Sequence, residues 1–217
     1  MTTTQHVAPS DLELAALISS KICHDVIGPV GAIYNGLEIL DEDDNQEAKT
    51  YALDVIRNVT ETASAKLQFA RFAFGAAGSA GSTIDLITAE QISRGYVGTG
   101  KHKLVWSSPM GHMLKDRAKL LLNMVSSAIT ALPRGGEISV VVSGALEAPT
   151  FKITCKGERA RPPQHLGEFL AGGGGMPALD AMTIQAYYTC RLAGLAKMRL
   201  VIEQAGADVV LAAYQVG

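Results

Sequence analysis

The chain has five histidines (His6, His24, His102, His112 and His165), and His24 stands apart by its surroundings. It lies inside a run of helical spacing, with Asp25 beside it, Lys21 about one turn before and Pro29 just over one turn after. An imidazole next to a carboxylate is the pattern of a prepared nucleophile. The carboxylate can hold the proton of one ring nitrogen and leave the other nitrogen its lone pair. At 100° per residue His24 falls about 160° from Ile22 and about 180° from Ile33, so it points away from the apolar residues of its own helix. Ser20, Lys21, Gly28, Gly31 and Asn35 share its side. A glycine in a helix interior costs about 1 kcal/mol relative to alanine. Two of them under a displayed imidazole predict a shallow groove that another protein's backbone or helix can approach closely. Pro29 brings no amide hydrogen to the carbonyl of Asp25, so a kink is expected just after His24. No two histidines share metal-ligand spacing, which leaves a metal site with little support.

The elements that must carry these residues can be read from periodicity. Ser10 and Glu13 form a capping box. Ala15, Ile18, Ile22, Val26, Val30, Ile33, Leu37 and Leu40 follow as one apolar stripe of helical period. An acidic turn, Asp41 to Asn45, ends it, and Asp44 with Glu47 is expected to cap the next helix. A second stripe runs Ala48, Ala52, Val55, Val59, Ala63, Leu67, Ala70 and Phe74 and stops at Gly75. The expectation is an antiparallel hairpin over residues 10–75. Its two stripes are covered only when a second hairpin closes a four-helix bundle, most simply from another copy. Residues 1–9 read as a flexible tail. Residues 76–82, small and uncharged, read as a linker. Residues 83–217 mix helical and strand patterns: a strong helix at 115–132, paired strands at 138–143 and 151–155, a glycine loop at 172–175, a long helix over 183–206 broken near Gly194, and a last strand at 209–214. That half is expected to be an α/β sandwich, so the fold class is α+β.

Composition narrows the function. The chain has 217 residues, 47% hydrophobic and 18% charged, with a formal charge of −2. A buried core is therefore expected, and a generic nucleic-acid binder, which would carry a basic surplus, is disfavoured. The apolar runs fall short of the roughly 18 residues that cross a bilayer, and the start of the chain lacks a signal-peptide pattern. Cys23, Cys155 and Cys190 are odd in number without C-x-x-C spacing. They read as free thiols, so a cytoplasmic location is expected.

The run His24-Asp25-Val26-Ile27-Gly28-Pro29 resembles the phosphoacceptor box of two-component histidine kinases, His-(Glu/Asp)-x-x-x-Pro. Residues 121–138 resemble the N-box helix, turn and strand of the kinase catalytic domain, the GHKL or Bergerat-like fold. In that pattern a second asparagine holds the magnesium of ATP. Here Asn123 fills the first place and Ser127 the second. Where an adenine-reading aspartate belongs stands Cys155, followed by Gly157 and Arg159, and the last glycine box is missing. The expectation is a kinase scaffold without ATP binding. Together the two halves resemble the ChpT-type family of dimeric histidine phosphotransferases of alphaproteobacterial cell-cycle phosphorelays. The resemblance implies that His24 accepts a phosphoryl group from the receiver domain of a hybrid kinase and passes it to the receiver aspartate of response regulators. It implies no cofactor of the protein's own, with Mg²⁺ expected on the partner receiver. His24 and Asp25 are the expected catalytic pair, and Lys21 could help neutralise the phosphoryl oxygens. Ser20, Lys21, Gly28, Gly31 and Asn35, with Arg57, Asn58 and Glu61 across the hairpin, are the expected partner-binding residues. An ATP-dependent sensor kinase and a non-catalytic dimeric adaptor on the same scaffold are the alternatives.

Overall fold

A computed structural model describes residues 8–42, 45–75, 81–172 and 177–216. The chain begins with helix α1, Asp11–Glu42. Its start is the expected capping box. The Ser10 amide donates to Glu13 Oε2 at 2.8 Å, and the Glu13 amide donates to Ser10 Oγ at 3.3 Å. The Ser10 hydroxyl, donating to Glu13 Oε2 at 2.7 Å, and then the Ser10 amide hold the Glu13 carboxyl below its ordinary value. Helix α2, Gln46–Ala73, returns antiparallel. Its cap is Asn45, whose side chain accepts from the Glu47 amide at 2.9 Å. The cap is thus one residue later than expected, and Asp44 lies outside the described residues. The helices approach closely at Gly36, where a Cβ would meet Ile56 Cγ1 at 2.6 Å. A branched side chain fills the place that glycine leaves open, which the stripe pattern alone did not reveal.

The second half is built on a five-stranded mixed sheet. Its strands are β2 (His102–Ser107), β4 (Gly136–Ser143), β5 (Thr150–Lys156), β6 (Met198–Ala205) and β7 (Asp208–Gln215), in the order β2-β4-β5-β7-β6. Only β2 and β4 run parallel. Two short strands, β1 (Thr83–Asp85) and β3 (His112–Leu114), pair antiparallel beside it. Ile138, Val140 and Val142 alternate inward along β4, as do Phe151, Ile153 and Cys155 along β5. They meet a helical layer of α3 (Leu86–Val97), α4 (Lys115–Ala131), α5 (Gln164–Ala171) and α6 (Ile184–Leu195). This is the expected hairpin followed by an α/β sandwich.

Several expectations are corrected. The long helix over 183–206 is a helix and a strand. α6 ends at Leu195, Lys197 turns with φ 54°, and β6 begins at Met198. Met198 and Leu200 point inward with period two, and Gly206, at φ 65°, closes a hairpin with β7. The expected glycine loop is described only at Gly172; residues 173–175 lie outside the described residues. The bilayer estimate also needs correction. α1 is long enough to cross a membrane and carries an 18-residue window of mean hydropathy 1.2. It reaches that value because its few charges are diluted among alanine, glycine and isoleucine.

The base of the hairpin is not separate from the sandwich. Phe69 of α2 stacks on Tyr96 of α3 with ring centroids 3.7 Å apart, and Phe74 lies 5.6 Å from Tyr188 of α6. The buried Asn123 side chain donates to the Ala73 carbonyl at 3.1 Å, closing the end of α2 against α4. Phe69 and Ala73 therefore belong to the same core as the sheet.

Candidate functional site

His24 sits on α1 with 58% of its side chain exposed, whereas Asp25 is 26% exposed. The imidazole thus stands out from the hairpin while its carboxylate neighbour leans in towards α2. His24 Nδ1 lies 3.5 Å from Asp25 Oδ1, within ion-pair reach and slightly beyond a good hydrogen bond. Nε2 is the ring nitrogen not turned to Asp25. Asp25 is held in turn by Lys21, whose Nζ lies 2.6 Å from Oδ1 and 2.5 Å from Oδ2. Lys21, expected to face an incoming anion, commits its charge here to the carboxylate that orients the histidine.

The Pro29 irregularity is resolved in an unexpected way. α1 continues without interruption from Asp11 to Glu42, with Pro29 inside it. The Asp25 carbonyl, deprived of its ladder partner, accepts instead from Lys66 Nζ of α2 at 3.0 Å. A part-buried carbonyl left without any partner would cost about 1–3 kcal/mol. The turn expected to kink is thus bridged across the hairpin, through a residue that sequence reading passed over. Lys66 lies in the second stripe's run as a lone cation among Ala63, Leu67 and Ala70, and that misplaced charge was the available signal.

The other expected site residues divide. Ser20, Gly28, Gly31 and Asn35 are exposed along α1. A Cβ built on Gly28 or Gly31 would meet nothing within 4 Å, so nothing in the chain itself demands glycine at either place. On α2, Arg57 lies 3.5 Å from Asp54, and Asn58 is exposed and gives its carbonyl to the Thr62 hydroxyl. Glu61 lines a cleft with Ser64, Gln68 and Gln91, on the side of α2 that meets α3.

The N-box region is closed by its own side chains. Asn123 and Ser127 are buried on α4, and Ser127 Oγ donates to the Asn123 carbonyl at 3.0 Å. Gln185 of α6 reaches the same point. Its Nε2 lies 2.9 Å from the Asn123 carbonyl oxygen, 3.4 Å from Asn123 Oδ1 and 3.1 Å from Thr189 Oγ1. The Asn123 amide oxygen thus already faces a donor, and the Ser127 hydroxyl is bonded to backbone. Cys155 is buried, with its thiol pushed up to about 12 by desolvation. Sequence reading did not single out Gln185.

A displayed, carboxylate-backed histidine on a long helical hairpin, joined to an α/β sandwich, fits a phosphotransfer protein. The chain belongs to the histidine phosphotransferase family. Residues 86–208 match the family described as histidine phosphotransferase C-terminal domain. Among individual proteins it is similar to the protein phosphotransferase ChpT of Brucella abortus (strain 2308). The two are 42% identical over 207 residues, 95% of this chain and 98% of the relative. A solved bacterial phosphotransferase superposes with a TM-score of 0.88 at 40% identity, covering 95% of this chain and 98% of that one.

Proposed function

We propose that His24 is the residue that carries the phosphoryl group, taking it from the aspartyl phosphate of one receiver domain and delivering it to the aspartate of another. The observation that carries this is the placement of the ring, exposed on the hairpin with Nδ1 turned to Asp25. The Nε2 lone pair attacks phosphorus in line. An N–P bond forms, the acyl phosphate O–P bond breaks, and the receiver aspartate leaves as a carboxylate. The ring's remaining proton stays on Nδ1, where Asp25 stabilises the cationic imidazole that forms. In the reverse step the carboxylate of the next receiver attacks the same phosphorus and Nε2 leaves with its electron pair. The protein's share is position and orientation, which can supply much of the barrier reduction in such transfers. The magnesium that balances phosphoryl charge is expected to arrive with the receiver.

The receivers are proposed to dock along the His24 side of α1, over Gly28, Gly31 and Asn35, with Asn58 and Arg57 as candidates for the rim. The functional unit is proposed to be a homodimer. Ile27 and Tyr34 of α1 are 70% and 62% exposed in the single chain, a large apolar load for one helix to leave in water. A second hairpin packed on that side completes a four-helix bundle. By resemblance to the ChpT-type family, the donors are hybrid histidine kinases, the acceptors are response regulators of the cell cycle, and the site of action is the cytoplasm. The test is transfer of radiolabel from a phosphorylated receiver domain. Wild-type protein should take up the label, and His24→Ala should take up none while remaining folded. Retained labelling of His24→Ala would overturn the assignment.

A further inference from the structure

We propose that Lys66 is a positioning residue for phosphotransfer, locking the Pro29-opened turn of α1 to α2 and so fixing the direction in which His24 is presented. The inference rests on the reading of His24 as the phosphoacceptor and adds to it a residue outside the histidine box. A proline at the fifth position after the histidine frees the carbonyl four residues earlier, which is that of Asp25. A turn with a missing ladder bond is the softest point of a long helix. In this chain the soft turn is the one that bears His24 and Asp25, so a residue that closes it controls the aim of the nucleophile.

Lys66 is placed to do so. Its Nζ donates to the Asp25 carbonyl at 3.0 Å from the opposite helix. It makes no ion pair among the described residues, in contrast to Lys21, which is held by the Asp25 carboxylate. Asp25 is thereby gripped at two points, its carboxylate by Lys21 along α1 and its backbone by Lys66 across the hairpin. Lys66 also lines a small cavity with Phe69, Tyr96, Ser126 and Gln185, where the hairpin meets the sandwich. The histidine turn is in this way tied to the part of α2 that is packed into the common core.

Pro29 and Lys66 form a compensating pair, and a double-mutant cycle tests the pairing. Transfer from a phosphorylated receiver to His24 is measured by rapid quench for wild type, Lys66→Met, Pro29→Ala and the double variant. Lys66→Met should slow the transfer step within the complex by about tenfold. The receiver concentration at half-saturation should stay unchanged, and Lys66→Arg, which can still donate, should recover most of the rate. In the Pro29→Ala background the alanine amide restores the ladder bond to Asp25, and Lys66→Met should then change the rate by less than about twofold. Equal losses in both backgrounds, or a wild-type rate for Lys66→Met alone, would overturn the proposal. Should Lys66→Met fail to fold, the double variant must fold, and a double variant equally unfolded overturns it as well. Failure of wild-type protein to take label on His24 would instead sink the phosphoacceptor reading, so the two failures are distinct.

Discussion

At the scale of single residues the site is a chain of restraint. Lys21 holds Asp25, and Asp25 faces His24 Nδ1 rather than Nε2. The task proposed for the histidine is nucleophilic attack at a phosphorus brought by another protein, where orientation of the ring decides the rate more than its intrinsic reactivity. Asp25→Asn keeps the shape but removes the charge that favours a proton on Nδ1 and stabilises the cationic ring. Transfer to His24 in this variant should fall by at least about tenfold in rapid-quench assays, with melting temperature little changed. Cys155 and Cys190 take no part in such chemistry, because desolvation pushes both thiols up to about 12 and leaves them protonated.

At the scale of elements the hairpin uses three glycines for two purposes. Gly36 lets α2 approach, since a Cβ there would collide with Ile56. Gly28 and Gly31 face open space, on the side where receiver docking is proposed. Gly36→Ala should lower the melting temperature by several degrees. Gly28→Ala and Gly31→Ala should each raise it by about 2–4 °C through helix propensity, yet weaken receiver binding measured by titration calorimetry. Stabilised variants that bind receivers at full strength would remove the docking role of this face. The same elements show how far the sequence could be read. The hairpin, the Ser10–Glu13 cap, α4, β4 and β5 were legible because their periodicities are long and unmixed. The helix expected over 183–206 was not. Residues 198–205 carry apolar groups that fit either period, and the decision between them rests on the tight hairpin to β7 at Gly206, a turn signal that the helical reading ran through. Lys66 and Gln185 escaped for another reason. Each works on a residue dozens of positions away, Asp25 and Asn123 respectively, and no spacing rule connects them.

At the scale of the whole molecule, hairpin and sandwich share one core through Phe69, Ala73, Tyr96 and Asn123. The sandwich spends its N-box on internal hydrogen bonds, and the hairpin leaves an apolar side of α1 uncovered. A charge in that side should be intolerable in a dimer and harmless in a monomer. Ile27→Glu is expected to halve the mass found by light scattering while leaving the far-ultraviolet helical signal in place; an unchanged mass would move the dimer interface elsewhere. The central claim is that phosphorus visits His24 without a nucleotide. It is tested most directly by incubating the protein with a phosphorylated receiver in the absence of ATP, digesting with trypsin under alkaline conditions and locating the phosphate by mass spectrometry. The account predicts an acid-labile phosphate on the peptide spanning residues 22–49, which contains His24 and no other histidine. Phosphate on a peptide containing His6, His102, His112 or His165, or phosphate that arises only when Mg-ATP is added, would contradict it.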